Sequence, residues 1–172
     1  MIDLDPDEDI EAEAKRRLEE LDRIPAVKRR RFASESCSMG LLAEVAILRR
    51  SDLFVADGIR HDFTRGNNRY ELKTSVRNIQ PRPTDTAKIP ASYLEHAKRS
   101  GTTHLIFASV NKKTRRVTLC GSIEVQSFEK KASYFAKGEI PPGDSKKRNC
   151  DTFQIEYCKL YVPRLQNGVI HL

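Results

Sequence analysis

The sequence predicts a mixed α/β fold, because segments with helical periodicity alternate with extended, β-rich segments along its 172 residues. After a short N-terminal helix, these segments follow the order helix, three strands, helix, two strands, helix, strand. A chain of this length with 38% hydrophobic residues can bury a core without disulfides. We therefore expect one domain with an N-terminal appendage.

The charge is distributed unevenly along the chain. Residues 1–24 contain ten acidic and four basic residues, whereas the rest of the chain contains 14 acidic and 27 basic ones. A strongly basic body is typical of proteins that bind nucleic acid, and ordinary solubility charge is the alternative. We expect an acidic N-terminal helical arm over residues 1–24, followed by the domain itself over residues 25–172.

The N-terminal helix is predicted over residues 10–24, where apolar residues recur at helical spacing until Pro25. The next helix, over residues 39–50, is apolar on almost every face, and Ser38 is its expected N-cap. Glu44 lies in the middle of this buried helix. A buried carboxylate needs a companion, so we expect an arginine or a metal ion beside it, and a small solvent-exposed gap next to Glu44 is the alternative.

The remaining elements follow from alternating or helical periodicity, with loops where proline, glycine and polar residues cluster. Strands are predicted over residues 53–56, 59–65, 68–75, 103–110, 116–120 and 152–158. Helices are predicted over residues 91–100 and, in part, 123–137. Loops are predicted over residues 76–90 and 138–150.

A β-hairpin is predicted at Gly66-Asn67, a two-residue turn signal between two β-rich segments. This turn places Asp62 directly opposite Glu71 on the paired strand. Lys73 points to the same face as Glu71, because side chains alternate along a strand. The opposite face carries residues that can pack in the core: Phe63, Tyr70 and Leu72.

Two carboxylates and an ammonium on one face favour metal-dependent chemistry on phosphodiesters. Neighbouring carboxylates repel each other and stay ionised most easily when they share a divalent cation. Oxygen ligands suit Mg²⁺ or Mn²⁺, and an ammonium beside the metal can hold a phosphate oxygen and orient the attacking water. A cross-strand ion-pair network is the alternative. No organic cofactor is expected. The eight glycines are scattered singly, so the sequence has no glycine-rich loop of the kind that binds the phosphates of a nucleotide cofactor.

Asp62 followed by Glu71-Leu72-Lys73, with Glu44 on a preceding helix, resembles the PD-(D/E)xK nucleases. The resemblance covers about half of the chain and implies the restriction-endonuclease-like fold, a mixed central sheet flanked by helices. By this resemblance Lys73 positions the water, and Glu44 binds or orients a metal ion or its waters. The expected catalytic residues are Glu44, Asp62, Glu71 and Lys73, and the expected metal ligands are Asp62, Glu71, Glu44 and the carbonyl of Leu72.

The resemblance implies a Mg²⁺- or Mn²⁺-dependent endonuclease that hydrolyses DNA phosphodiester bonds. Its small size favours an enzyme that reads DNA structure, such as a junction or a flap, or one that works within a phage or mobile-element complex. A homodimer is an open alternative, because a symmetric substrate needs two cuts. Residues on and beyond the motif strand are expected to contact nucleic acid: Thr74, Ser75, Arg77, Arg82 and Lys88.

Two other interpretations remain open: a non-catalytic nucleic-acid-binding or regulatory module on the same fold, and an RNA-cleaving relative. No apolar run approaches the roughly 20 residues that cross a bilayer, so no membrane partner is expected. The expected location is the cytoplasm, that of the host cell for a viral protein, with the nucleus open for a eukaryotic one.

Overall fold

The computed structural model describes residues 1–22, 35–55, 62–142, 144–161, 164–166 and 169–172. The helices in these ranges are α1 (Glu8–Asp22), α2 (Glu35–Arg50), α3 (Ala91–Ser100) and α4 (Val125–Lys131), with a 3₁₀ turn at Tyr157–Lys159. The strands are β1 (Ile2–Leu4), β2 (Phe54–Val55), β3 (Phe63–Arg65), β4 (Asn68–Arg77), β5 (Thr86–Pro90), β6 (His104–Asn111), β7 (Val117–Glu124), β8 (Ser133–Phe135), β9 (Thr152–Glu156), β10 (Arg164–Gln166) and β11 (Val169–His171).

A six-stranded mixed sheet organises the fold, with the strand order β1-β7-β6-β4-β3-β2. Strands β4 and β6 are parallel, and α3 lies in the connection between them. The other neighbours in this sheet are antiparallel. A second sheet has the order β5-β9-β8, and β10 and β11 form a hairpin. The predicted mixed α/β class is therefore confirmed.

Hydrophobic clusters cover both faces of the large sheet. Strand β6 supplies Ile106 and Ala108 to one cluster and Leu105 and Phe107 to the other, because its side chains alternate between the faces. The first cluster includes α1 and α2, and the second includes α3, α4 and the smaller sheet. Among the described helices, none combines the length and apolarity that a membrane crossing requires.

Residues 1–22 contribute a strand and a helix to this core. Strand β1 pairs with β7 at the sheet edge, where Ile2 faces Leu119. Helix α1 packs on α2 and buries Ile10 and Ala14 in the first cluster. The segment that the charge pattern marks as an arm thus lies against the large sheet and its covering helix.

Several predicted boundaries are wrong because pairing partners come from distant parts of the chain. The predicted loop over residues 76–90 fails at both ends: β4 runs to Arg77 alongside β6, and residues 86–90 form β5 against β9. The predicted partial helix over residues 123–137 is shortened to α4, because residues 133–135 pair with β9 as β8.

One predicted helix start is also wrong. Helix α2 already begins at Glu35, so Ser38 lies inside the helix and the predicted N-cap is wrong. The helix over residues 91–100 is confirmed, and Gly101 ends it in the left-handed conformation with a φ of 79°. The predicted end of the first helix and the predicted strand residues 59–61 lie outside the described residues.

Among the described glycines, Gly121 is the one at which a side chain would meet backbone and Cβ atoms of a neighbouring segment. It lies beside the register shift between β6 and β7, and its φ is 148°. A Cβ atom there would lie 2.7 Å from the Cβ of Leu160 and 2.8 Å from the carbonyl oxygen of Tyr161. We expect Gly121→Ala to lower the free energy of unfolding by about 2 kcal/mol, as measured by urea denaturation.

Gly40 in α2 is the matched control for this substitution. A Cβ atom at Gly40 meets nothing within 4 Å, so Gly40→Ala is expected to leave stability unchanged or to raise it by up to about 1 kcal/mol. Equal effects of the two substitutions would show that the close approach of Leu160 to β7 is not a constraint.

Candidate active site

The β3–β4 hairpin has the predicted register. Arg65 pairs with Asn68 across the two-residue turn, and Phe63 pairs with Tyr70. Asp62 directly precedes β3, and its backbone N–H donates a hydrogen bond to the carbonyl of Tyr70 at 3.1 Å. Asp62 is thereby held against β4, next to the motif residues.

The two faces of this hairpin also separate as predicted. Phe63, Tyr70 and Leu72 are buried in the first hydrophobic cluster. Alternation along β4 places Glu71 and Lys73 on the opposite face, where both side chains are largely but not fully buried. Their charged ends lie 4.0 Å apart, measured from the Lys73 Nζ to the Glu71 Oε1.

Asp62 is tied to the motif strand through its side chain as well. Its Oδ2 accepts a hydrogen bond from the backbone N–H of Leu72 at 2.6 Å. The N–H and C=O of one strand residue point to the same edge, so the Leu72 carbonyl faces the side on which Asp62 lies. Two carboxylates and one carbonyl oxygen therefore lie around this part of β4.

Glu44 lies on α2, a helix that contributes to the first hydrophobic cluster. Its Oε1 accepts a hydrogen bond from the guanidinium of Arg17 on α1 at 3.0 Å, and the side chains are only 20% (Arg17) and 22% (Glu44) exposed. Burial raises the pKa of Glu44 above its usual value, Arg17 lowers it, and the charge of Glu71 raises it again. Of the two companions expected for Glu44, an arginine is present.

The charges of the other three predicted residues all act on Asp62. Burial first, then the carboxylate of Glu71, and to a smaller extent Glu44 raise the pKa of Asp62 to about 7, against the lowering effects of the Leu72 N–H and of Lys73. Burial lowers the pKa of Lys73, while the two carboxylates raise it. Three carboxylates thus face one ammonium and one guanidinium.

Two residues of this site were missed by sequence reasoning. Tyr93 on α3 donates its hydroxyl to the Oε1 of Glu71, and its ring centroid lies 3.4 Å from the Nζ of Lys73. Arg17 on α1 holds Glu44. Neither residue carries a local signal, because each reaches the site only through the packing of its helix.

The predicted nucleic-acid contacts cluster beside Lys73 with one exception. A cleft of about 220 Å³ continues from Lys73 along β4, and its wall includes four of the predicted residues: Thr74, Ser75, Arg77 and Lys88. No carboxylate is among the described residues that line it, whereas three other surface cavities each include at least one glutamate. Arg82 is not part of this wall, and its backbone N–H binds Asp85.

Two of the cations in the cleft wall already have partners. Arg77 forms an ion pair with Asp85 at 2.6 Å and contacts the hydroxyl of Tyr157 at 3.5 Å. Lys88 forms an ion pair with Asp144 at 3.0 Å. These pairs fix the cleft wall and reduce its net positive charge.

Within the described ranges, no three His, Cys, Asp or Glu side chains are arranged to hold a metal ion. The oxygen donors around β4 are two carboxylates and a backbone carbonyl, and Glu44 is turned to Arg17. Compared with protein-family models, curated proteins and solved structures, the chain has no match, so its chemistry is inferred from this geometry.

Proposed function

We propose that this protein is a metal-dependent endonuclease that hydrolyses phosphodiester bonds, with DNA as its substrate. The observation that carries the proposal is the hydrogen bond that holds Asp62 against the strand bearing Glu71 and Lys73, beside the cleft that Lys73 helps to line. The charge of Glu44, on α2, also acts on Asp62. A plain ion-pair network would need roughly balanced charges, whereas here, beyond the effect of burial, the charge of Glu71 raises the pKa of both Glu44 and Asp62.

The donor set around β4 fits a hard divalent cation. Asp62, Glu71 and the carbonyl of Leu72 would hold Mg²⁺ or Mn²⁺, and Glu44 would orient its waters. The surroundings of Asp62 support this assignment, because burial and then the charge of Glu71 raise its pKa, and a bound divalent cation would favour its ionised form. When bound, the ion would make a water molecule more acidic and stabilise negative charge on the phosphate.

Residues of the protein would orient the water and the substrate and stabilise the developing charge. Lys73 lies close to Glu71, and its ammonium can donate to a phosphate oxygen while orienting the attacking water. The backbone N–H of Leu72 keeps Asp62 aligned with β4. The partial burial of these side chains strengthens their electrostatic effect on a developing negative charge.

We further propose that the fold is of the restriction-endonuclease-like type. The mixed sheet, the β3–β4 hairpin and the parallel β4–α3–β6 connection with α2 on one face support this proposal. The cleft beside Lys73 suits one stretch of nucleic-acid backbone, which favours recognition of DNA structure, such as a junction or a flap. Symmetric junctions would require a homodimer.

The proposal is tested by cleavage of end-labelled substrates of one sequence: single-stranded DNA, duplex, flap, four-way junction and the matching RNA. Each is incubated with Mg²⁺, Mn²⁺ or EDTA. We expect cutting only with a metal, and a loss of at least about 100-fold in Lys73→Met, which keeps the apolar stem but removes the charge. Lys130→Met on the exposed face of α4 is the control, expected to cut like the wild type.

Three outcomes would contradict the proposal or narrow it. Binding without cutting in either metal would leave the non-catalytic nucleic-acid-binding module. Cutting in EDTA, or full activity of Lys73→Met, would remove the chemistry from this site. Preferential cutting of the RNA would keep the mechanism and change the substrate.

A further inference from the structure

Tyr93 contacts the two motif residues on β4 with two different parts of its side chain. Its hydroxyl donates to one carboxylate oxygen of Glu71, and the face of its ring lies 3.4 Å from the ammonium of Lys73. A single side chain therefore touches both of the charged groups to which the proposed reaction assigns metal binding and water orientation.

The position of Tyr93 is set by a helix that is anchored along its inner side. Leu94 and Ala97 of α3 are buried in the second hydrophobic cluster, and Tyr93 packs against that cluster. The first residue of α3, Ala91, donates its N–H to the carbonyl of Asp151 at 2.9 Å. A functional group on an anchored helix is held more precisely than one on a loop.

Each contact restricts a group that is otherwise mobile. The hydroxyl of Tyr93 fixes the carboxylate plane of Glu71 through Oε1, so that Oε2 keeps a defined direction. The electron-rich ring face attracts the ammonium of Lys73 and limits the rotamers of its four-carbon chain. Both effects favour one arrangement of the two charged ends, close to each other and to Asp62.

We propose that Tyr93 is a positioning residue, whose hydroxyl orients Glu71 for metal binding and whose ring holds Lys73 for phosphate and water. The inference rests on the proposed nuclease function. Hydrogen bonds to metal-binding carboxylates change metal affinity or activity by about tenfold to 100-fold in known sites. The two parts of the Tyr93 side chain are therefore expected to produce two separable defects.

Two variants distinguish the role of the Tyr93 hydroxyl from the role of its ring. Tyr93→Phe keeps the ring under Lys73 and removes the hydroxyl, so Mn²⁺ affinity measured by calorimetry without nucleic acid should fall about tenfold. At saturating Mn²⁺ this variant should recover nearly the wild-type cleavage rate. Tyr93→Leu removes the ring as well, so its kcat should stay low at any Mn²⁺ concentration. Tyr134→Phe on the surface strand β8 is the control, expected to match the wild type in both assays.

Thermal unfolding of each variant is measured to establish that the variant is folded under the conditions of both assays. If Tyr93→Phe binds Mn²⁺ and cuts DNA like the wild type, the positioning role is overturned while the nuclease function stands. If Tyr93→Leu also recovers its rate with excess Mn²⁺, the ring has no role at Lys73. If the wild-type protein neither binds Mn²⁺ nor cuts any substrate, the proposed function and this inference both fail.

Discussion

Replacing Asp62 with asparagine is expected to stabilise the metal-free protein at pH 8 and to abolish the proposed cleavage. The carboxylate of Asp62 is buried beside Glu71 and Glu44, which raises its pKa to about 7. Asparagine keeps an oxygen that can accept the hydrogen bond from the Leu72 N–H but removes the charge. The two effects have opposite signs, because the charge that destabilises the fold is the charge proposed to hold the metal.

The sign of the pH dependence follows from proton linkage. The pKa of Asp62 is about 7 in the folded chain, against 3.8 for an ordinary aspartate. Between these values the folded protein keeps a proton that the unfolded chain has released, so stability falls as the pH rises. Each pH unit in this window contributes at most about 1.4 kcal/mol, and the total by pH 8 is at most about 4 kcal/mol.

The measurement is urea denaturation from pH 4 to pH 8 in EDTA. Wild type and Asp62→Asn should have similar free energies of unfolding at pH 4 and diverge as the pH rises, with the variant more stable. Adding Mg²⁺ at pH 8 should stabilise the wild type alone, because binding to the folded state stabilises by mass action. Glu19→Gln on the exposed side of α1 should keep the wild-type profile. Parallel profiles for wild type and Asp62→Asn would contradict the assignment.

The hairpin could be predicted from the sequence because its determinants are local. A two-residue turn is enough to predict the pairing from Arg65–Asn68 to Phe63–Tyr70, which the register confirms, and alternation along β4 places Glu71 and Lys73 on one face. Asp62 precedes these paired residues, and its side chain binds the backbone N–H of Leu72. Tyr93 and Arg17 could not be found this way. Tyr93 lies 22 residues from Glu71, and Arg17 lies 27 residues from Glu44, so only the packing of α3 and α1 brings them in.

The sequence predicts the net charge of each segment but not where those charges lie on the folded surface. Acidic residues of the N-terminal segment pair with arginines of the basic body: Asp5 with Arg116 at 2.6 Å, Glu11 with Arg115 at 3.0 Å and Glu13 with Arg49. Such exposed pairs contribute little to stability. They do neutralise part of the positive charge that the composition assigns to the body.

Replacing Arg17 with methionine is expected to lower the free energy of unfolding by about 2 to 3 kcal/mol at pH 8, because it leaves a largely buried Glu44 without its cation. Glu13, the other partner of Arg17, keeps its ion pair with Arg49. The loss should shrink at pH 4, since Glu44, whose pKa is already raised, is then protonated and no longer requires a counter-charge.

A double-mutant cycle with Glu44→Gln separates this pairing from simple packing loss. If the ion pair compensates for a buried charge, Arg17→Met combined with Glu44→Gln should be more stable at pH 8 than Arg17→Met alone, and the two effects should not add. Additive effects would mean that Glu44 is solvated independently of α1. A strong coupling would instead show that Arg17 on the N-terminal helix compensates for the buried charge of Glu44.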